Sequence, residues 1–221
     1  DLGYSGRAIL RDPATPPAVD TVVMETTYGD RLHKQLQPSI DELYDVINET
    51  IGRGGNVIIP TFALERAQEI LYYLREGVES RRIEYFTNVF LDSPMAISAT
   101  RIFERHPECY DSSTLEVSHN HGDPFDLPGL HFTRETAESM AINQVVGGAI
   151  IMAGSGMCTG GRIVHQRPFQ HGQGRQRRVQ RGPGTGQPGA AGPAQRGGAA
   201  RGRQDRDRRA AGHVADPERR P

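Results

Sequence analysis

Residues 56–77 read NVIIPTFALERAQEILYYLREG, and this stretch decides the fold class. Its first six residues are a short apolar run with consecutive β-branched side chains, the pattern of a strand buried on both faces. Residues 64–77 then place apolar groups at helical spacing, and the glycine at 77 is expected to stop that helix. Strand followed at once by helix is a β-α unit, and the chain repeats it in both directions. Upstream, DTVVME (20–25) reads as a short buried strand, and a helix opens near Pro38 with Ile40, Leu43, Val46, Ile47 and Ile51 on one side. Gly52, Gly54 and Gly55 end that helix. Downstream, EYFTNVFLDS (84–93) carries a strand and AISATRIFERH (96–106) a helix that stops before Pro107.

A polar loop is expected next, with NHGDPFDLPG near its end. LHFTR (130–134) is a strand, TAESMAINQV a helix, and GGAIIMAGSG a strand running into a glycine-rich turn, after which CTGGRIVH begins another helix. Repeated β-α units with apolar strands predict an α/β fold with a mostly parallel, Rossmann-like sheet. Ligands of such sheets sit beyond the carboxyl ends of the strands. Glu25, Thr61, Ser93 and Ser155 are all placed at or just after those ends.

Composition divides the chain of 221 residues. Residues 166–221 hold 13 Arg, no Lys and 4 acidic residues, a balance of +9, whereas residues 1–165 hold 13 basic and 23 acidic residues, a balance of −10. The segment from 166 onward has three large apolar residues, Phe169, Val179 and Val214, too few to offset the entropy of ordering it. A disordered Arg/Gly-rich tail is therefore expected. Its Arg, Gly, Ala and Pro without Lys is also the output of a GC-rich gene read out of frame, and a one-base shift near residue 166 is the favoured origin. The competing origin is a genuine arm that holds RNA phosphates without sequence preference. Two cysteines, Cys109 and Cys158, without CxxC spacing give neither a disulfide framework nor a zinc knuckle. With no signal peptide and no apolar run long enough for a bilayer, the expected compartment is the cytoplasm, with no membrane partner. The start at Asp1 suggests a chain cut from a longer one.

Five segments in order carry a family resemblance: DLGYSGRAILRDP at the start, VVMETTYGDRLH (22–33), VIIPTFALERAQEIL (57–71), FLDSPMA (90–96) and IIMAGSGMCTGGRIVH (150–165). Together they resemble the β-CASP branch of the metallo-β-lactamase fold, RNA-processing nucleases related to the cleavage-and-polyadenylation endonuclease. The resemblance implies remnant strands of a metallo-β-lactamase αββα domain over 1–33 and a β-CASP domain over 34–165, followed by the tail over 166–221. It implies two Zn ions in the complete parent, activating a water that cleaves an RNA phosphodiester bond. Asp1, followed by Leu2 and Gly3, matches the aspartate that bridges both metals. Glu25 matches the acid of the E-[ST]-TYG motif, which orients a histidine that protonates the leaving group. Thr26 stands where serine is commoner.

Ser155, Gly156 and Met157 lie on a glycine-rich turn whose backbone N–H groups suit a phosphate. By resemblance this loop faces RNA, with Arg162 and His165 as candidate phosphate contacts. An ordinary glycine-rich strand-to-helix turn accounts for the loop equally well, and for His165 the reading without a phosphate contact is the preferred one. Arg66, Asp92 and Ser93 also match family positions and are read as fold markers, a helix-facing salt bridge explaining Arg66 nearly as well. His119, His121 and Asp123 form HxHxD, but Pro124 follows where the zinc motif needs histidine, and the order relative to Asp1 is reversed. They are rejected as the zinc site.

The upstream HxHxDH motif and the later histidine ligands are absent, so this chain is not expected to hold zinc tightly or to be active alone. RNA is the implied partner, and a homodimer is left open. The alternative is a non-catalytic RNA-binding or scaffold member of the same family, with a DNA-directed relative a third option.

Overall fold

The computed structural model describes residues 5–26, 29, 30, 32, 34–83 and 87–166. Elements run in the order α1 (Leu36–Gly52), β1 (Val57–Pro60), α2 (Arg66–Glu79), β2 (Asn88–Asp92), α3 (Pro94–Glu104), α4 (Ser112–His121), β3 (Leu130–Phe132), α5 (Thr136–Ala141) and β4 (Ala149–Ala153), with short 3-10 turns at Pro107–Cys109 and Ile142–Gln144. The four strands form one sheet in the order β1-β4-β2-β3, parallel at every pairing. The Rossmann-like α/β expectation holds.

Register explains the continuous apolar character of the strands. Val57 lies beside Ile150 and Ile59 beside Met152, with Val89 and Leu91 across β4, and all six enter the main core with α1 and α2. The opposite face carries Ile58 and Ala153, packed with Ile163 from the segment after β4. Both faces are covered, so no alternation of polar and apolar residues is needed. Asp92 shares the second face with Ala153, its register partner.

α1 buries Ile40, Leu43, Tyr44, Ile47 and Ile51, the predicted stripe apart from Val46, which is half-buried, and Tyr44, which replaces it in the core. The end of α2 differs from expectation. Gly77 does not stop the helix, which continues to Glu79 and is capped at Ser80. Gly77 is instead a packing residue: a methyl there would lie 2.7 Å from Cε1 of Tyr44 and 2.9 Å from Cδ1 of Ile83. Tyr44 cannot easily yield, because its hydroxyl donates to the Tyr73 carbonyl at 2.6 Å and Arg82 lies over its ring. Gly77→Ala should therefore lose about 1–2 kcal/mol, overpacking outweighing the roughly 1 kcal/mol gain in helix propensity. A urea midpoint equal to or above that of the parent chain would contradict this.

The expected polar loop after Pro107 contains a helix. α4 starts where Asp111 caps it, its carboxylate accepting from the Thr114 N–H at 2.7 Å. The Asp-Ser-Ser-Thr start was a readable cap signal, but only Thr114 of this helix is fully buried, so its apolar periodicity is weak.

The expected strand at 20–25 does not form. Residues 11–26 carry no regular hydrogen-bonded structure, and Val23 is 95% exposed. β-branched residues favour strands only where a neighbour pairs the backbone and covers the side chains, and no described strand does either here. Residues 7–11 pack on the body. Ile9 is in the main core, Leu10 bridges Tyr110, the Asp111 N–H donates to the Ile9 carbonyl at 2.8 Å, and Arg7 pairs with Glu65. The expected tail from residue 167 onward lies outside the described residues. No described helix is long and apolar enough to cross a membrane.

Candidate functional site

A parallel sheet delivers the carboxyl ends of all its strands to one edge. Here β1 delivers Thr61 and Phe62, β4 delivers Gly154–Met157, and β2 delivers Asp92 and Ser93, in that lateral order. Thr61 continues the pairing, its N–H donating to the Ala153 carbonyl at 3.0 Å. Ser93 caps α3, its hydroxyl accepting from the Ala96 N–H at 3.2 Å.

The floor of this edge is organised by Asp92, whose side chain is fully buried. Its Oδ1 accepts from the Thr133 hydroxyl at 2.8 Å and from the Arg162 guanidinium at 2.9 Å. Its Oδ2 accepts from the Ser139 hydroxyl at 2.8 Å and from the Gln166 amide at 2.8 Å. A buried carboxylate is tolerable when its lone pairs are filled and a cation is in contact. One residue at the end of β2 thus ties together the segment after β3, α5 and the segment after β4. Arg162 adds bonds to the carbonyls of Thr133 at 2.9 Å and Arg134 at 2.6 Å.

Between β4 and Arg162 the chain makes a tight loop. The Cys158 N–H donates to the Ser155 carbonyl at 3.0 Å, closing a turn with Gly156 and Met157 at its centre. The Ser155 N–H reaches the Gly160 carbonyl at 3.0 Å, and the Ile163 N–H reaches the Gly154 carbonyl at 2.9 Å. Glycine at 161 is dictated twice, by a φ of +74° and by the Gly154 carbonyl 2.5 Å from where a methyl would sit. Glycine at 156 leaves room for Phe62, whose ring carbons would lie 2.9–3.2 Å from a Cβ there, so that a side chain at 156 would have to displace the ring. The backbone N–H groups of Gly156 and Met157 have no acceptor among the described residues. The Ser155 hydroxyl is buried without a hydrogen-bond partner. Such a turn, with two adjacent N–H groups lacking a protein acceptor and no side chain at one position, is suited to an anion.

The chain matches the family described as the Beta-Casp domain over residues 67–168, which include three of the four strands and this loop. The chain carries a β-CASP domain. It is 40% identical over 174 residues to Ribonuclease TTHA0252 of Thermus thermophilus, across 78% of this chain and 39% of that protein. It is 36% identical over 172 residues to Transcription termination factor FttA of Lokiarchaeum, across 75% of this chain and 26% of that protein. The factor of the same name from Thermococcus kodakarensis is 36% identical over 160 residues, 70% of this chain and 24% of its own length. The chain therefore spans well under half the length of these relatives.

The β-CASP domain brings together part of the expected site. Ser155, Gly156 and Arg162 belong to one loop, but the Arg162 guanidinium is directed into the Asp92 network. His165 is exposed one turn further on, its N–H donating to the Arg162 carbonyl at 2.9 Å. Glu25 is not at a strand end, lying in the exposed segment 11–26. Asp1 lies outside the described residues.

Among the described residues no three His, Cys, Asp or Glu side chains converge to hold a metal ion. That includes His119, His121 and Asp123 at the end of α4, and the described residues do not fit a two-zinc site. The α2 end of the β-CASP domain holds a second ionic feature. Arg66 and Glu69 form a buried ion pair, the salt bridge that the sequence offered for Arg66. Burial lowers the arginine's pKa and raises the glutamate's, outweighing their mutual attraction in both cases.

Sequence reasoning missed Phe62, because exposure at a strand end has no periodic signature. It also undervalued Asp92, whose partners lie 41 to 74 positions away.

Proposed function

We propose that this chain is the β-CASP portion of a metal-dependent ribonuclease, and that its glycine loop at residues 154–161 receives an RNA phosphate. The observation that carries the reading is the pair of open N–H groups on Gly156 and Met157 at the carboxyl edge of a parallel sheet, in a chain 40% identical over 174 residues to a protein named a ribonuclease. In the complete parent, zinc would supply an activated water, with Asp1 as a metal ligand and Glu25 orienting the acid. The described residues offer no such metal group, so no step of the reaction is assigned to them. RNA binding without cleavage is what the chain should do alone, in the cytoplasm.

Fluorescence anisotropy with a labelled single-stranded RNA, followed by a denaturing gel, tests this. Saturable, salt-sensitive binding with the RNA left intact, zinc present or absent, is expected. Zinc-dependent cleavage by the chain would contradict its inactivity, and absence of binding at low salt would contradict the RNA reading itself. Sequencing the gene upstream of codon 1 separates the enzyme from its rival: an in-frame HxHxDH supports the nuclease parent, and a degenerate equivalent supports a non-catalytic RNA-binding scaffold.

A further inference from the structure

Phe62 is a large aromatic residue left 47% exposed at the end of β1. A methyl built on Gly156 would stand 2.9, 3.0 and 3.2 Å from three consecutive ring carbons, Cε2, Cδ2 and Cζ. Near-equal distances to three adjacent atoms place the glycine over the face of the ring. An approach along the ring edge would bring one carbon much closer than its neighbours. Gly156 thus stands over one face of Phe62, which leaves the other face as the one a ligand could cover.

The ring lies beside the turn that carries the open N–H groups of Gly156 and Met157. The same edge of the sheet carries an exposed apolar rim: Leu64 after β1, Met157 after β4 and Met95 at the start of α3 after β2, the three strands being adjacent. A phosphate alone gains nothing from such a rim. A nucleotide does, because its base has an apolar face and its phosphate needs donors. Residues 1–165 carry a balance of −10, so a general basic surface is not available to this half of the chain. Stacking and backbone donors are the remaining means of holding RNA.

We propose that the open face of Phe62 is a stacking site for one nucleobase of a single-stranded RNA whose neighbouring phosphate rests on the N–H groups of Gly156 and Met157. This rests on the RNA reading above and adds the residue that recognises the base. Stacking tolerates any base, so the site confers preference for unpaired nucleotides over paired ones and little preference among the four.

The test compares a short single-stranded RNA with an abasic ribose-phosphate oligomer of equal length and charge, using the full chain, Phe62→Leu and Phe62→Tyr. Phosphate contacts and arginine stacking by segment 166–221 are common to the parent chain and its Phe62 variants, so the loss of preference from parent to variant reports the ring alone. The parent chain should favour the base-bearing RNA by about tenfold. Phe62→Leu should lose that preference while keeping its affinity for the abasic oligomer, and Phe62→Tyr should retain it. Circular dichroism checks folding, and Phe62→Met replaces the leucine variant if that one unfolds. Equal binding of both oligomers by the parent chain, or a preference that survives Phe62→Leu, overturns the stacking site and leaves the RNA reading standing. Binding of neither oligomer overturns both.

Discussion

Replacing Asp92 with alanine should lower the unfolding free energy by about 3–5 kcal/mol, the range for removing one partner of a buried ion pair. Four donors from Thr133, Ser139, Arg162 and Gln166 converge on this carboxylate, and alanine leaves all four facing a cavity. The two hydroxyls can turn to other acceptors. The Arg162 guanidinium keeps two backbone carbonyls but loses its counter-charge. Asp92→Asn should be milder, at about 1–3 kcal/mol. Its new amide can face Gln166, whose Oε1 is buried without a partner, if that side chain turns its amide over. The asparagine variant also removes the charge opposite Arg162, so it does not restore full stability. Urea unfolding of the two variants gives the ordering directly. If alanine costs no more than asparagine, the network does not hold this edge together.

The Arg66–Glu69 pair supports a prediction of similar size with a pH signature. Arg66→Met preserves most of the side-chain volume and leaves Glu69, 3% exposed, without its arginine. A loss of about 3–5 kcal/mol is expected at neutral pH. Glu69 already has its pKa raised by burial, and losing the nearby cation raises it further. A carboxylate with a folded pKa above its unfolded one binds its proton more tightly when folded. The contribution of such a group to stability is greatest at low pH and falls as pH rises from the unfolded value toward the folded one. The deficit of Arg66→Met relative to the parent chain should therefore shrink as pH is lowered from neutrality toward the ordinary glutamate range. A deficit that stays constant or grows on acidification would show that Glu69 is not the unpaired charge. Arg66→Met combined with Glu69→Leu should recover much of the loss, since a buried pair can often be replaced by apolar groups.

The sequence disclosed what depends on local periodicity. The stripe at Ile40, Leu43, Ile47 and Ile51 and the unbroken apolar runs at 57–59 and 149–153 located α1, β1 and β4, because burial on a helix face or within a parallel sheet imposes its own spacing. The glycine loop was visible for the same kind of reason, since Gly161 occupies a position that admits no side chain and Gly156 one where a side chain would crowd the Phe62 ring. Features that depend on remote neighbours were hidden. Gly77 resembles a helix stop until Tyr44 and Ile83 are seen against it. The strand expected at 20–25 needed a pairing partner that its own residues could not reveal. Asp92 stood out only as a motif letter because its four donors come from three distant segments. Phe62 gave no sign at all: an exposed aromatic and a buried one have the same sequence pattern.

Amide chemical shifts of the chain, recorded while single-stranded RNA is added, test the central claim most directly. The N–H groups of Gly156 and Met157 should move early and saturably, with the neighbouring Ser155 and Phe62 following. Shifts confined to residues 166–221, with the 154–161 loop unchanged, would contradict the assignment of this loop as the surface that meets RNA.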